Sequence, residues 1–491
     1  MVALSDRGNY PVVSFENADG DAIDWFPSVV AERDGQLCFG FEALARSSEP
    51  GWSVVRSFKR LLGSGGLMSG RQLRVGESTF PVAEVLTGFL SALARAIRWS
   101  QPGLDPDEPL EAVVATPAHA LGPQRFITLD AFRSAGFELL GFLDEPSAAG
   151  FEYTHRFRKT LNKNREHVLI YDLGGGTFDA ALVHVNGLRH EIVTTGGDDE
   201  IGGDDFDTVL VDLVVEQLQL PISALDPLVA REMGTRAQRL KEGLHPSTRK
   251  ILFDLGGLDL PREDVTISVS DYYDACLPLV EGTMEAMAPV LAAAESRPLA
   301  GLYVVGGGSA LPVVGRRLKE DLGRRVHRSP HPSAAVAIGL AIAADEESGF
   351  ELTGRLSRFF GVFRERDTGR DVAFDPIFGK DVAVGGHVEA PRICREYRAA
   401  HNVGHYRFVE TSRLDSRGLP HERLQAMGEL TFPFDPRLRA PEIDLSKVEV
   451  ERLGEGPWVR EEYTVSPLGL VEVALTDLET GFARRYTLSG G

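Results

Sequence analysis

The chain has 491 residues, of which 43% are hydrophobic and 25% charged, a composition typical of a globular protein with about two to four domains. Its net charge of −20 argues against a nucleic-acid or anionic-membrane partner, because such phosphate-rich surfaces are bound by clusters of Lys and Arg. A nucleotide is not excluded, since it needs only a local site.

Strand-like and helix-like patterns alternate over residues 1–345. A short apolar strand over 111–117 is closed by a proline, and helical spacing follows over 122–138. Residues 138–153 read as a second short strand and a helix that starts near Pro146, and 301–323 read as strand, glycine turn and amphipathic helix. This alternation predicts an α/β domain of layered sheets over 1–345.

The pattern changes after residue 345. The next segment is polar and contains two glycines, which predicts a linker over 346–357. Residues 469–488 alternate apolar and polar side chains and turn at 479–481, which is typical of a hairpin. We therefore predict an all-β sandwich over 358–491.

The cysteines and the N-terminus concern the cellular compartment. Cys38, Cys276 and Cys394 are far apart and have no metal-binding spacing, which predicts a reducing cytosol. The N-terminal stretch has no basic segment followed by an apolar one, so we predict no signal peptide. The longest run of small apolar residues, 334–344, is far shorter than the roughly 20 residues that span a bilayer. We predict a cytoplasmic protein without a membrane partner.

The segment "VLIYDLGGGTFDAALVHV", residues 168–185, is an apolar run interrupted by three glycines. Consecutive backbone N–H groups in such a turn form an anion-binding concavity. Asp172 and Asp179 flank the turn and suit a hydrated Mg²⁺, which proteins usually hold by one or two carboxylates plus phosphate oxygens. Thr177 can donate its hydroxyl to a phosphate oxygen. The alternative is a tight turn between two strands that binds nothing.

A second glycine turn, "YVVGGGSALP" (303–312), lies between a strand and a helix, so its N–H groups can face a phosphate or nucleoside; a purely structural turn is the alternative. The chain has no GxxxxGK[ST] motif and no dinucleotide fingerprint. The acidic segment 196–207 lacks the spacing of a calcium loop. We interpret its acids as the start of a helix near Asp204, where they complement the helix dipole.

Together these segments resemble one family, the seventy-kilodalton heat-shock chaperones of DnaK type. The similar blocks occur in family order: "FKRLLG" (58–63), "VVATPAHALGPQRFITLDAFRSAGFELLGFLDEPSAAGFEY" (113–153), "DLGGGTFD" (172–179), "GGDDEIGGDDFD" (196–207), "VVGGGSALPVV" (304–314) and "HPSAAVAIGLAIAA" (331–344). The resemblance implies an α/β actin-like ATPase of two RNase-H-like lobes, with ATP or ADP and Mg²⁺ in the cleft, followed by a peptide-binding β-sandwich.

The same resemblance implies roles for individual residues. Lys59 matches the lysine that orients the attacking water, and Asp172 and Asp179 match the acids that hold magnesium through water. Thr177 matches a phosphate-contacting threonine, and Glu145 matches a glutamate in the outer shell of the metal. Such hydrolysis is mostly positioning plus charge stabilisation, so this small set of groups suffices.

The nucleotide-binding set that the resemblance implies comprises three loops and one helix face. Its members are Gly174, Gly175, Gly176, Thr177, Gly202, Gly203, Gln238, Lys241, Glu242, His245, Gly306, Gly307, Gly308 and Ser309. This chain departs from the family at five positions, which indicates weaker or altered adenine binding. Those positions are Gln238 for glutamate, Glu242 for arginine, His245 for serine, Ala310 for arginine and Ser333 for aspartate.

The resemblance also concerns both ends of the chain. Residues 11–40 match the family segment that follows a first phosphate hairpin with a "GIDLGTT"-like motif, of which only "MVAL" (1–4) has a counterpart here. Either the true start lies upstream of Met1, which is the alternative we favour, or the protein lacks this loop. Residues 466–488 resemble the end of the peptide-binding sandwich. The family normally adds a helical lid at that point, so a lidless cleft that releases peptides quickly is expected.

Three functions follow from this. The first is an ATP-dependent chaperone-like protein that binds unfolded peptide segments. Pro117 matches a family proline that is tied to interdomain signalling. The resemblance also implies two partners, a J-domain co-chaperone and a nucleotide exchange factor. ATP hydrolysis is expected if the first phosphate loop is encoded upstream. The second, motivated by the missing first loop and by Ala310, is a degenerate, non-hydrolysing ATPase that acts as a protein-binding module. The third, an actin-like filament protein or sugar kinase, shares the ATPase fold but not the β domain.

Overall fold

An α/β part and a β part make up the chain. The computed structural model describes residues 1–491 except 18–19, 48, 57–71, 106–107, 119, 121, 222–224, 324–325, 357, 367–369, 381, 386–388, 422–423, 467 and 489–491. In the described part, no single helix is both long and apolar enough to cross a membrane. One pair, Val269–Ala286 with Ala288–Ala294, reaches that length and composition only together, and it is bent by 51°.

The first segment of the chain builds a lobe of small sheets and helices. A strongly amphipathic helix, Val82–Ser100, buries apolar residues three or four positions apart, such as Val82, Leu86 and Leu90, against these strands. The elements are β1 (Phe15–Glu16), β2 (Ala22–Ile23), β3 (Val29–Arg33), β4 (Gln36–Phe39), α1 (Gly40–Arg46), β5 (Ser53–Arg56), β6 (Gln72–Val75), β7 (Ser78–Pro81), α2 (Val82–Ser100), β8 (Leu110–Thr116), α3 (Gly122–Ser134), β9 (Phe137–Asp144) and α4 (Glu145–Phe157).

The second segment builds a larger lobe around a central sheet. Its elements are β10 (His167–Leu173), β11 (Phe178–Asn186), β12 (Arg189–Asp198), α5 (Gly203–Leu218), α6 (Pro227–Glu242), β13 (Lys250–Asp254), β14 (Asp264–Ser268), α7 (Val269–Ala286), α8 (Ala288–Ala294), β15 (Leu299–Val305), α9 (Pro312–Leu322), β16 (Val326–Arg328) and α10 (Ala335–Ala344). Short 3₁₀ turns cover Arg158–Thr160, Gly307–Ala310 and Pro332–Ala334.

The central strand β10 is buried on both faces. Leu169 and Tyr171 pack into a core formed with α5, α6 and α7, while Val168 and Ile170 pack into a second core with α4 on the opposite face. A strand covered on both sides needs an unbroken apolar run rather than an alternating one, which explains the sequence of this segment. β10 pairs antiparallel with β11 and parallel with β15, so the loops that follow β10 and β15 emerge at the same edge.

The third segment forms the β part. Its elements are β17 (Glu351–Arg355), β18 (Phe359–Arg366), β19 (Asp371–Phe378), β20 (Ala383–Val384), β21 (Arg392–Arg398), β22 (Val403–Thr411), β23 (Gln425–Pro433), β24 (Trp458–Val465), β25 (Val471–Asp477) and β26 (Ala483–Thr487), with 3₁₀ turns at Glu346–Ser348, Pro436–Leu438 and Leu445–Lys447. Two four-stranded sheets, β19-β18-β22-β23 and β21-β24-β25-β26, enclose an aromatic core in which Phe360, Phe408 and Tyr463 are fully buried.

Strand β17 joins the two parts of the molecule into one sheet. It pairs parallel with β12 and antiparallel with β20, and this gives the seven-stranded order β16-β15-β10-β11-β12-β17-β20. A second contact lies at the start of α3, where the backbone N–H of Gly122 donates to the Glu410 carboxylate of β22 at 3.2 Å. Leu470, just before β25, packs beside Val114 and Leu129 of the first lobe.

Several predicted elements are confirmed, with small shifts at their ends. The strand over 111–117 is β8, the helix near Pro146 is α4, and the hairpin over 469–488 is formed by β25 and β26. The helix predicted over 122–138 ends at Ser134, because Gly136 adopts a φ of +88° that a right-handed helix cannot contain. Strand β17, within the predicted linker, was not expected.

Candidate functional site

Two carboxylates face each other where β10 ends and β11 begins. Asp172 and Asp179 are direct partners across the antiparallel pair, and their residues are only 7% and 2% exposed. One carboxylate oxygen of Asp179 accepts a hydrogen bond from the backbone N–H of Ala118 at 3.0 Å. Ala118 follows Pro117 in the loop after β8, so this carboxylate links the central sheet of the second lobe to the first lobe.

The glycine turn between β10 and β11 is fixed by the start of α5. The backbone N–H of Gly203 donates to the carbonyl of Gly174 at 2.9 Å, and that of Asp204 donates to the carbonyl of Gly175 at 2.8 Å. A Cβ atom placed on Gly202 would lie 2.5 Å from the backbone of Gly176, so only glycine permits this approach. The acidic segment 196–207 thus supplies the support of the turn, and α5 begins at Gly203, as predicted near Asp204.

The glycine turn after β15 lies directly against the first one. Gly306 has a φ of +83°, and a Cβ on it would lie 2.3 Å from the carbonyl oxygen of Leu173 and 2.4 Å from a carboxylate oxygen of Asp172. A Cβ on Gly308 would lie 2.8 Å from the carbonyl oxygen of Gly174. Any larger residue at these positions would separate the two loops. The structure therefore brings the two predicted glycine loops together at the Asp172 carboxylate.

Helix α6 contributes a buried ion pair below the loops. The Lys241 ammonium contacts the Asp207 carboxylate at 2.8 Å and donates to the carbonyl of Gly203 at 2.5 Å. Burial raises the pKa of Asp207 to about 6, although the positive charge of Lys241 acts to lower it. Asp207 is not among the residues predicted from the sequence, although its place at the end of the acidic block, on the inner face of α5, was a usable signal. In this arrangement Lys241 fastens α6 to the start of α5.

The remaining residues of the α6 face are more exposed. The Gln238 amide donates to the Glu242 carboxylate at 3.0 Å, one helical turn away. His245 follows the helix and is exposed, and its backbone N–H donates to the Thr248 hydroxyl at 3.0 Å. Three of the positions at which the chain departs from the family resemblance therefore lie in the last turns of α6 or just after it.

On the first-lobe side, Glu145 is the first residue of α4. The carboxylate of Asp144 caps this helix by accepting hydrogen bonds from the Ser147 backbone N–H at 2.8 Å and from its hydroxyl at 2.7 Å. Burial raises the pKa of Asp144. Lys59 lies outside the described residues. Ala310 and Ser333 are exposed, beside the second glycine turn.

The geometry fits a nucleotide accompanied by Mg²⁺. Two facing carboxylates can hold the waters of a magnesium ion, and Gly175 in the turn beside them is exposed. In the part of the chain that is described, no group of three or more His, Cys, Asp or Glu side chains is placed to hold a metal ion by itself. An ion bound here would therefore share its coordination with water and phosphate oxygens.

Comparison with known proteins agrees with this geometry. The family model described as "Hsp70 protein" matches residues 72–354, more than half of the chain. The chain belongs to the Hsp70 family. The predicted family is thereby confirmed, and so is the predicted fold class: the Hsp70 fold consists of actin-like ATPase lobes and a β-sandwich, as in the sheets described above.

Hsp70 proteins named as chaperones are among its relatives. "Chaperone protein HscA" from Klebsiella pneumoniae is 32% identical over 340 residues, which are 65% of this chain and 52% of that protein. A "Chaperone protein HscA homolog" from Azotobacter vinelandii is 33% identical over 354 residues, 68% of this chain and 54% of the relative. One from Colwellia psychrerythraea is 29% identical over 368 residues, 70% of this chain and 56% of the relative. The chain spans about half the length of these curated relatives.

Proposed function

We propose that this Hsp70-family chain is an ATP-binding, chaperone-like protein in which the nucleotide between the lobes controls binding of extended peptide segments by the β-sandwich. The observation that carries the proposal is the contact between the two glycine loops at Asp172, since a Cβ on Gly306 would strike both Leu173 and that carboxylate. This contact places two glycine turns beside one carboxylate, and the backbone N–H groups of glycine turns form anion-binding concavities. The proposal includes a cytoplasmic location and functional units at 1–345, 346–357 and 358–491.

The residues of the site have separate roles in this proposal. Mg²⁺ bound with ATP would neutralise charge on the phosphate oxygens. Asp172 and Asp179 hold the waters of the ion, and Thr177, which is buried beside the turn, contacts a phosphate oxygen. Glu145, at the start of α4, stands in the outer shell, and Lys59 orients the attacking water. The chain then acts by positioning and charge stabilisation rather than by a covalent step.

Two contacts support a link between nucleotide and peptide binding. Asp179 is bonded to Ala118, and four residues later Gly122 is bonded to Glu410 of the β-sandwich. A short segment of the first lobe thus touches a site carboxylate at one end and the sandwich at the other. A change at Asp179 can therefore reach the sandwich through the segment from Ala118 to the start of α3. A J-domain co-chaperone and a nucleotide exchange factor are the partners we propose on the basis of family membership.

The direct test is equilibrium titration with a fluorescent ADP analogue, with and without Mg²⁺. We expect binding by the wild-type chain and a loss of at least about tenfold in affinity for Gly306→Ala, because a Cβ at this positive φ has no room. Gly454→Ala is the matched control. Gly454 lies in the β part with no atom within 4 Å of an added Cβ, so the affinity of this variant should equal that of wild type. A wild-type chain that binds no nucleotide would contradict the proposal.

A second candidate is a non-hydrolysing protein-binding module, which is favoured by the exposed Ala310 and Ser333 at the rim of the second glycine turn. The two candidates differ in one measurable quantity, the affinity for a fluorescent peptide at saturating ATP and at saturating ADP. A chaperone cycle requires the two affinities to differ and phosphate to be released from ATP. Equal affinities without phosphate release would favour the module.

A further inference from the structure

Helix α4 carries a carboxylate that is completely buried beneath the second glycine turn. Glu152 is 0% exposed and accepts hydrogen bonds from the Tyr303 phenol and the Arg156 guanidinium. The hydroxyl of Ser329 lies 3.4 Å from the same carboxylate. Burial and the neighbouring Glu152 charge raise the pKa of Tyr303, so this phenol stays a donor at any ordinary pH.

The two hydroxyl donors belong to the two backbone segments that set the turn. Tyr303 lies on β15, three residues before Gly306. Ser329 begins the segment 329–333: its backbone N–H donates to the carbonyl of Val304 at 3.3 Å, and its hydroxyl accepts from His331 at 3.1 Å. The carbonyl of Pro332, in the same segment, accepts the backbone N–H of Gly306 at 2.9 Å. Glu152 therefore holds both sides of the turn to α4.

The second glycine turn is tightly packed against the first. Because Gly306 is pressed against Leu173 and Asp172, a displacement of β15 or of segment 329–333 must change the distance between the turn and the Asp172 carboxylate. Helix α4, which carries Glu152, begins with Glu145. Glu152 therefore connects the second glycine turn, the Asp172 carboxylate that the turn contacts, and Glu145.

A packing role alone does not explain a charge at this position. Replacing a buried ionic group by a well-packed apolar side chain is often neutral or stabilising, whereas fixed hydrogen bonds define one arrangement of the groups they join. The carboxylate is thus suited to setting geometry rather than to adding stability.

We propose that Glu152 is a positioning residue for nucleotide binding: its buried carboxylate fixes the turn 306–309, on the nucleoside side of the site, relative to Asp172. The inference rests on the proposed nucleotide site and names a residue that lies outside it. No group of Glu152 touches the ligand in this proposal. It acts only through Tyr303 and Ser329.

The experiment is a double-mutant cycle with Glu152→Gln, Tyr303→Phe and the combination, each titrated with the fluorescent ADP analogue well below its unfolding temperature. We expect each single variant to bind about tenfold more weakly, since each loses a hydrogen bond to a buried charge. The double variant should be no weaker than the weaker single one, because both changes break one unit. Amide hydrogen exchange should rise in 306–310 and stay unchanged in β11, which a general loss of stability would not produce.

Glu429→Gln is the matched control, because Glu429 forms an exposed ion pair with Arg407 at 3.1 Å in the β-sandwich and should bind ADP like wild type. Wild-type affinity in both single variants, or additive losses in the double variant, would overturn the role of Glu152 while leaving the nucleotide site intact. Absence of ADP binding by the wild-type chain would instead overturn the proposed function and this inference with it. If Glu152→Gln does not fold, Tyr303→Phe, which removes a single hydroxyl, decides the question.

Discussion

The seven-stranded sheet and the β-sandwich bury charged side chains in opposite ways. In the sheet, Asp172 and Asp179 stand at the ends of two strands, next to a turn whose Gly175 is exposed. In the sandwich, Glu461 is completely buried between the two four-stranded sheets and accepts hydrogen bonds from side chains of three strands. The two site carboxylates therefore lie beside an exposed turn, whereas Glu461 is enclosed by protein groups.

The ionic network of the sandwich joins its two sheets. Arg364 of β18 donates to both carboxylate oxygens of Glu461 on β24, at 3.0 and 2.6 Å. The same guanidinium donates to Asp375 at 2.7 Å, and Arg395 of the opposite sheet reaches Asp375 at 3.2 Å. The phenol of Tyr463 donates to Glu461 at 2.6 Å. These groups satisfy one another across the interior, so we assign the network to the stability of the sandwich.

The largest expected effect tests this assignment. Glu461→Ala leaves the partly exposed Arg364 guanidinium with Asp375 alone and removes the acceptor of the buried Tyr463 phenol, and we expect the free energy of unfolding of the sandwich to fall by about 3 kcal/mol. The affinity for ADP should not change, because the hydrogen bonds of the network, as far as the described residues go, join strands of the two four-stranded sheets only. Urea unfolding, followed by amide hydrogen exchange in β24, and ADP titration measure the two quantities.

The matched control replaces both charges with apolar side chains of similar size. Arg364→Met combined with Glu461→Leu should recover most of the lost stability, because no uncompensated charge remains in the core. If Glu461→Ala unfolds at the wild-type urea concentration, or weakens ADP binding, the contrast between the two regions is wrong.

A third kind of buried polar side chain, one without a hydrogen-bond partner among the described residues, lies between the two regions. His190 on β12 is only 1% exposed, and within the described residues neither ring nitrogen has a hydrogen-bond partner. The centroid of its ring lies 4.8 Å from that of Phe151 of α4 and 5.7 Å from that of Phe350, just before β17. The imidazole therefore serves as an apolar surface on which the connecting segment rests.

This environment predicts a loss of stability in acid. Burial lowers the pKa of His190 to about 3, whereas a histidine of the unfolded chain titrates near pH 6.5. Between these values only the unfolded chain binds the proton, so the free energy of unfolding falls as the pH falls below 6.5. The loss amounts to about 2 kcal/mol at pH 5.

His190→Phe removes the pH-dependent contribution of His190 to the free energy of unfolding while keeping an aromatic ring between Phe151 and Phe350. We expect urea unfolding to show a smaller loss of stability between pH 7.5 and pH 5 in the variant than in wild type, by about 2 kcal/mol. The partly exposed His184, which lies 3.5 Å from Glu166, provides the control, because His184→Phe should leave most of the pH dependence in place. Identical pH dependence in His190→Phe and wild type would contradict the role of the buried ring.

The sequence predicts the parts of the molecule that depend on local signals. The run 168–170, the three glycines after it and the acids that flank them form one contiguous pattern, and the spacing of such patterns along the chain leads to the family and the fold class. What it does not predict depends on pairing between distant segments. Glu152 lies in a stretch that reads as an ordinary helix face, and its buried partner Tyr303 lies 151 residues away.

Strand β17 was missed for the same reason. Its segment contains the polar residues Glu351 and Thr353 beside Gly349 and Gly354, and this composition is typical of a linker. It becomes a strand because the free edge of β12 offers backbone hydrogen-bonding groups in parallel register. A pattern confined to one segment cannot show which edge lies beside it.

The smallest expected effect concerns the charges that line this pairing. Glu351 of β17 contacts Arg189 of β12 at 3.2 Å, and Arg355 forms an ion pair with Glu191. Arg189 is largely exposed, and exposed ion pairs contribute about 0.2–1 kcal/mol. They should therefore adjust how firmly β17 is held rather than decide whether it pairs.

Charge reversal isolates this contribution from the backbone pairing. Glu351→Arg places a positive charge beside Arg189, and we expect faster amide hydrogen exchange in β17 at low salt, by a few-fold at most. Because salt screens exposed charges, the difference from wild type should disappear at high salt. Arg189→Glu combined with Glu351→Arg should restore slow exchange. If the double variant exchanges as fast as the single one, shape rather than charge holds β17 on the sheet, and exposed pairs contribute nothing beside the buried network of the sandwich.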